Sequence, residues 1–272
     1  MRYCDLHVHS SFSDGTLSPT GLVEMATQLG LAALALCDHN SVDGLPEFVR
    51  AAGGTALQAI PGCEFTTVWE GKELHILGLF IPRAQWPAVR QRMEDFRRRK
   101  DQNTLELLDA LIAGGYSLDR KAVLSRGNGY INRAHIAAAL KDAGYIPTIQ
   151  AAFEKILAPG GGFYDPPLPM NSLEAIRFIR SVGAVPVLAH PLFSVDEAFL
   201  RSFLPLAAEA GLAGMEVRYS KYSAAETALA AKLAAEYGLL PSGGSDFHGE
   251  NKPDTPMGLP PVPYTWMMAL QK

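Results

Sequence analysis

His7 and His9 stand two residues apart near one end of the chain, and Asp246 and His248 repeat that spacing near the other. On a β-strand, residues i and i+2 project from one face, so each pair can offer two ligands to one cation. Between them lie Asp14, Cys37-Asp38-His39-Asn40, Gly62-Cys63-Glu64, His75 and Ala189-His190-Pro191. Six of the seven histidines therefore sit in or at the end of an apolar run, with carboxylates beside them. A lone H-x-H is a weak signal, but four such clusters point to metal. Imidazole and carboxylate donors without a thiolate favour Mn, Fe or Zn over Ca. Neighbouring divalent cations suit hydrolysis, because they acidify water and stabilise charge on a pentacoordinate phosphorus. The sequence holds no competing nucleophile motif, neither G-x-S-x-G nor a Gly-rich loop followed by Lys-Ser/Thr.

Such scattered groups can meet only if the elements bring them to one face. Apolar runs predict strands over Tyr3–Val8, Leu31–Cys37, Ala56–Pro61, Lys72–Ile81, Val185–Ala189, Gly214–Arg218 and Leu239–Ser242. Helical patterns fall at Pro19–Gly30, Leu45–Ala52, Leu173–Val182, Asp196–Ala210 and Ala224–Tyr237. Strands alternating with crossover-length helices imply a parallel sheet, and this many imply a barrel or near-barrel, whose strand C-termini open on one face. Residues 87–167 break the rhythm, with helices expected at Val89–Ala113, Lys121–Leu124, Arg133–Ala143 and Ile149–Leu157. They read as a helical insertion, forming a substrate lid, in a domain made of 1–86 and 168–272. The proline-rich tail from Lys252 is expected to be an extended strap.

The motifs His7-Val8-His9, Asp14, Cys37-Asp38-His39-Asn40, Gly62-Cys63-Glu64, His75, Ala189-His190-Pro191 and Gly244-Ser245-Asp246-Phe247-His248 resemble, in order, the metal motifs of the PHP (polymerase and histidinol phosphatase) family. The insertion is similar to that of the bacterial branch containing nucleoside 3′,5′-bisphosphate phosphatases and the exoribonuclease RNase AM. The resemblance implies a distorted (β/α)7 TIM-like barrel and two or three divalent ions, by resemblance Mn, with Zn or Fe as alternatives. It further implies that His7, His9, Glu64 and Asp246 hold a first ion. Glu64 would bridge to a second ion completed by His75 and His190, and Asp14, His39 and His248 would hold a third. Asp5 and Asp38 are then candidates to orient imidazoles through the other ring nitrogen, with an Asx turn or helix cap as the plain alternative for Asp38.

The expected reaction is attack of a metal-bridging hydroxide on a phosphomonoester, with Asp246, His190 or His248 assisting proton transfer. The substrate side is read from SRGNGYINRAH, where Arg126, Asn128, Arg133 and His135 could hold an anion, and from Arg218 and Lys221 at a strand end. For the arginines and Lys221 an ordinary surface role stays open, and His135 as a lone histidine could be structural. One phosphate on the metals and a second on these groups fits a small nucleotide such as 3′-phosphoadenosine 5′-phosphate, losing its 3′-phosphate. A short 5′-phosphorylated RNA fits nearly as well. Histidinol phosphate, amide or lactone hydrolysis on the same kind of barrel, and a non-catalytic metal-stabilised module are the remaining alternatives, and no obligate protein partner is readable.

The chain is 272 residues long with 48% hydrophobic and 19% charged residues, which excludes disorder and suits one large α/β domain with an insertion. The net charge of −4 conceals an asymmetry, since residues 90–160 carry +4 and the remainder −8. Arg97-Arg98-Arg99-Lys100 wraps around one predicted helix, as a solvated face does. No apolar run approaches the ~20 residues of a membrane span, and MRYCDLHVHS has no apolar export signal. Three cysteines make no disulfide framework, so a reducing cytoplasm is expected.

Overall fold

The computed structural model describes residues 2–125, 133–157, 163 and 170–272. The chain divides into two compact units, 1–93 with 169–272 and 94–168. In the first unit the chain runs β1 (Tyr3–Val8), α1 (Pro19–Gln28), β2 (Ala33–Leu36), α2 (Leu45–Ala52), β3 (Gln58–Pro61), β4 (Cys63–Trp69) and β5 (Lys72–Leu79). Helix α3 (Trp86–Ala113) leads on to α4 (Arg120–Ser125), α5 (Arg133–Asp142) and α6 (Ile149–Lys155) of the second unit. The first unit resumes with β6 (Met170–Asn171), α7 (Ser172–Ser181), β7 (Val185–Ala189), α8 (Pro191–Ser194) and α9 (Glu197–Ala210). It continues through β8 (Gly214–Tyr219), α10 (Ala224–Glu236), β9 (Leu240–Gly244), β10 (Val262–Pro263) and α11 (Tyr264–Leu270).

Local chemistry sets these limits. Ser18 caps α1 by accepting the Gly21 N–H, and Pro19 supplies the pre-set φ of a first helical position. Ser223 and Glu226 form a reciprocal capping box on α10. Helix α9 begins on Asp196 and ends on Gly211, whose φ of 102° closes the helix at no steric cost.

The strands form two sheets, in the orders β10-β1-β2-β3 and β6-β4-β5-β7-β8-β9. β1, β2 and β3 are parallel neighbours, as are β7, β8 and β9. The expectation of an all-parallel sheet is corrected, because β5 pairs antiparallel with both β4 and β7. Strand β4 was not anticipated: the turn at Glu70-Gly71 joins it to β5 as a hairpin, so no crossover helix announces it. The tail is likewise no plain strap. Val262 pairs with Cys4 across β10 and β1, and α11 buries Met267 and Leu270.

The sheets meet at two seams. On one side, Val8 bridges Phe247, the Asp246 N–H donates to the His7 carbonyl at 2.9 Å, and the His9 N–H donates to the Phe247 carbonyl at 2.9 Å. On the other, His39 bridges Glu64, and the Asn40 N–H donates to the Glu64 carbonyl at 2.8 Å. Gly244 lies so close to β1 that a Cβ there would stand 2.4 Å from that of His7, which is why only glycine serves. One hydrophobic cluster, centred on Phe48, Phe65 and Phe203, packs helices on the strands, and a second, with Leu6, Leu77 and Val187, lies among the strands themselves. The second unit has its own cluster around Leu108, Ile136 and Leu140.

Candidate metal centre

Strands, or the residues just after them, deliver the parts of the site. His7 belongs to β1 and His9 follows it; His39 follows β2; Glu64 is in β4 and His75 in β5; His190 follows β7; Asp246 and His248 follow β9. Three residues at these ends adopt left-handed backbone without being glycine: Asn40 (φ 49°), His190 (φ 27°) and Asp246 (φ 55°). Strain of this kind persists only where surrounding contacts fix it, and it gathers at functional sites.

Glu64, fully buried, is the hub. Its Oε1 stands 2.8 Å from His75 Nδ1 and 3.1 Å from His190 Nε2. Its Oε2 stands 3.1 Å from His39 Nδ1 and 3.3 Å from both His7 Nε2 and His9 Nε2. Asp246 Oδ1 lies 3.2 Å from His9 Nε2, and Asp14 Oδ1 lies 3.2 Å from His248 Nε2. Four groups have donor atoms mutually within 4.8 Å: His9, Asp14, His39 and His248; His7, His9 and Asp246; His7, Glu64 and His190; His39, Glu64 and His75. Together these take in all nine side chains that the motifs single out.

The donor set fits cations on a second count. His7 Nε2, both ring nitrogens of His9, His39 Nδ1, Glu64 Oε2, His190 Nδ1 and His248 Nε2 are buried and make no hydrogen bond of normal geometry, several of them only facing one another at 3.1–3.3 Å. Buried polar atoms are almost always satisfied, and so many orphans on one cage are the pattern that coordinated cations would complete. The electrostatics agree. Burial raises the pKa of Glu64, yet the charges of His7 and His75 prevail and hold it well below the carboxylate range. The same contest leaves His7, His9 and His75 raised against their burial, His75 to about 10. At His39 burial wins, lowering it to about 4. Asp14 and Asp246 are lowered by neighbouring imidazoles although burial opposes this.

Around the cage the structure corrects two readings. Neither Asp5 nor Asp38 orients an imidazole. Asp38 accepts the Ser10 N–H and the hydroxyls of Ser10 and Ser13, each at 2.7 Å, and so ties down the loop that carries Asp14. Asp5 accepts backbone N–H groups of His7, Ser245 and Gly258 and the Ser245 hydroxyl. The orienting carboxylate is Glu216, fully buried in β8, whose Oε1 lies 3.1 Å from His7 Nδ1 while Oε2 accepts the His190 N–H at 2.7 Å. A carboxylate inside the apolar strand GMEVRY was the signal for it. Two further groups went unread. Tyr219 donates its hydroxyl to Asp246 Oδ2 at 3.1 Å, and Lys252 Nζ stands 2.9 Å from the same oxygen.

The cage opens into a cavity of about 370 Å³ whose wall includes His39, His75, His190, Asp246, Lys221 and Lys252. Lys221 is thus brought to the site, paired with Asp254. Arg218 is not: it lines a separate cavity of about 560 Å³, donates to the Pro261 carbonyl and lies 5.2 Å from the Trp266 ring centre. In the second unit Arg133 lies 5.5 Å from the Phe153 ring centre and His135 is half-buried on α5. Arg126 and Asn128 lie outside the described residues. Of the basic run, Arg98 pairs with Asp95 on its own helix.

Strand ends of an α/β fold converging on a buried imidazole–carboxylate cage define a metal-dependent hydrolase. The PHP domain model matches residues 5–145. The 5′-3′ exoribonuclease Rnm of Salmonella typhimurium is 35% identical over 253 residues, covering 90% of this chain and 84% of that protein. The 3′,5′-nucleoside bisphosphate phosphatase of Chromobacterium violaceum is 30% identical over 269 residues, covering 96% and 94%. Among solved structures, a Bifidobacterium adolescentis protein provisionally named a metal-dependent phosphoesterase superposes with a TM-score of 0.69 at 28% identity, covering 99% and 95%. The chain belongs to the PHP domain family and is a metal-dependent phosphoesterase.

Proposed function

We propose that this phosphoesterase removes the 3′-phosphate of a nucleoside 3′,5′-bisphosphate. The observation that carries the reading is the cage of orphaned nitrogens around Glu64, opening on a cavity rimmed by Lys221 and Lys252. Its likeness to the Chromobacterium phosphatase supports the choice of substrate. Two or three divalent ions, Mn by preference, would be held by His7, His9, Glu64 and Asp246, by Glu64, His75 and His190, and by Asp14, His39 and His248. The two sheets, joined at both seams, would form a distorted (β/α)7 barrel around them. The second unit, with Arg126, Asn128, Arg133 and His135, would read the 5′-phosphate. The buried, unpaired cysteines suit the cytoplasm, and among the described residues no helix is long and apolar enough to cross a membrane.

When bound, the cations supply an acidified water and neutralise charge developing on phosphorus. The chain's own groups do the rest. Glu216 fixes the ring of His7 through Nδ1, leaving Nε2 as its donor toward the cage. Lys221 and Lys252, on the cavity wall, would offer positive charge to the phosphate's oxygens. Of the three candidates for proton transfer, Asp246 and His190 line the cavity while His248 does not. Asp246, kept ionised by the neighbouring imidazoles, carries no proton for a departing alkoxide, and its Oδ2 holds the Tyr219 hydroxyl and the Lys252 ammonium. Of the three, His190 is the one that would donate from the cavity wall.

The test is phosphate release by the Mn-loaded protein from 3′-phosphoadenosine 5′-phosphate beside 3′-AMP, 5′-AMP, histidinol phosphate and a 5′-phosphorylated RNA oligomer. Preference for the bisphosphate is expected. The Rnm relative supports a second reading, 5′-3′ exoribonuclease activity on short RNA, and mononucleotide release from the oligomer at comparable efficiency would establish it instead.

A further inference from the structure

Among the described residues Phe193 is the most exposed large hydrophobic side chain, at 64% of its surface. It also lines the metal-site cavity, whose other walls are mostly ionic. Single exposed apolar residues are ordinary; an aromatic ring at the mouth of a charged cavity, on a turn fixed by its backbone, is not. The turn that carries Phe193 is tied at every residue before it. The His190 N–H goes to Glu216 at 2.7 Å, Pro191 sets φ at the first position of α8, and the Leu192 N–H goes to the Tyr222 hydroxyl at 2.8 Å. The Phe193 N–H itself closes on the His190 carbonyl at 3.0 Å. The ring meets Tyr219 and His190 edge-on, at centroid distances of 5.8 and 6.3 Å. The backbone beneath the ring is therefore fixed before any ligand arrives, and the exposed ring stands beside the cavity as a stacking surface.

We propose that Phe193 is the platform on which the base of the nucleotide stacks while its phosphoester lies against the cage beside His190. This rests on the phosphoesterase reading and deepens it. An aromatic face accepts any nucleobase, so the site reads the presence of a base rather than its identity. The interaction is separate from the ionic contacts of Lys221 and Lys252, which address the phosphates.

The experiment compares the wild type with Phe193→Ala and Phe193→Trp on 3′-phosphoadenosine 5′-phosphate and on the abasic deoxyribose 3,5-bisphosphate. Phe193→Ala is expected to raise KM for the adenosine substrate by about 5- to 150-fold, the equivalent of ~1–3 kcal/mol per stacked base. It should leave the abasic substrate unchanged, and Phe193→Trp should restore the wild-type KM. Independently of turnover, 5′-AMP should quench the added indole of Phe193→Trp, measured against the wild-type background, and ribose 5-phosphate should not. Equal effects of Phe193→Ala on both substrates, or none on either, would overturn the platform while leaving phosphoester hydrolysis intact. Absence of quenching by 5′-AMP would overturn it as well. Saturable quenching with no hydrolysis of either substrate would keep the platform and refute the phosphoesterase reading.

Discussion

Asp5 holds Ser245 with both carboxylate oxygens: Oδ1 accepts its N–H at 2.9 Å and Oδ2 accepts its hydroxyl at 2.6 Å. Both residues are fully buried and 240 positions apart. This clasp joins β1 to the loop after β9, and so sets His7 beside Asp246. Ser245→Ala would leave the carboxylate short of one donor in a site without water access. A loss of about 1–3 kcal/mol is expected, seen as a lower urea midpoint at unchanged slope. An unaltered midpoint would show that the clasp contributes nothing to stability.

Glu216 should act on metal affinity rather than on the fold's integrity. Carboxylates that orient a ligating imidazole are worth about 10- to 100-fold in metal affinity or activity. Glu216→Gln is expected to weaken Mn binding by that amount in a metal titration, with activity recovering as Mn is raised. Wild-type affinity in the variant would remove Glu216 from the metal's support.

Protons compete with the cations. In the metal-free protein His75 is raised from 6.5 to about 10, and His7 and His9 are raised as well. Because these folded values exceed the unfolded ones, their contribution to stability is complete below about pH 6.5 and lost as pH rises, for His75 through about 10. Metal must displace those protons, so apparent affinity rises with pH across the neutral range. Calorimetric titration at pH 7 in two buffers of different ionisation enthalpy should give heats that differ by the protons released. Identical heats would contradict the charged state of these imidazoles.

The second phosphate can be traced by comparing two cations. Arg133→Ala is expected to raise KM for a 3′,5′-bisphosphate more than for a 3′-monophosphate. Lys221→Ala, altering a residue on the cavity wall, should weaken both substrates. A charged hydrogen bond of ~1.5–3 kcal/mol corresponds to about 10- to 150-fold in kcat/KM. An equal effect of Arg133→Ala on both substrates would assign it no part in reading the 5′-phosphate.

Much of the site was legible because most of the candidate ligands sit at or just after a strand's end, where the sequence marks them twice, by residue type and by the end of an apolar run; Glu64 and His75 lie within strands. The nine side chains come together in space. Glu216, Tyr219 and Lys252 were harder. Glu216 and Tyr219 lie inside or at the end of β8 with no spacing partner in sequence, and Lys252 sits in a loop; each acquires meaning only through what another strand places opposite. Asp5 and Asp38 misled for the converse reason. Their position next to a ligand suggested contact with an imidazole, but their oxygens face backbone N–H groups and hydroxyls. Of the β4–β5 hairpin, β5 was legible and β4 was not, because CEFTTVW enters only through the Gly62-Cys63-Glu64 motif and no crossover helix sets it apart from β5.

The seam at which His7 and His9 exchange hydrogen bonds with Asp246 and Phe247 bears on the order in which this protein is made. A ribosome delivers the two histidines first and their partners some 240 residues later. Until then β1 lacks the hydrogen bonds of that seam, and the cage lacks Asp246 and His248. Contacts between residues so far apart form slowly, and the full set of cations can be taken up only once residue 248 has been made. A polypeptide interrupted before residue 246 would carry most of the core and a cage without Asp246 and His248, so its hydrolytic centre would be incomplete.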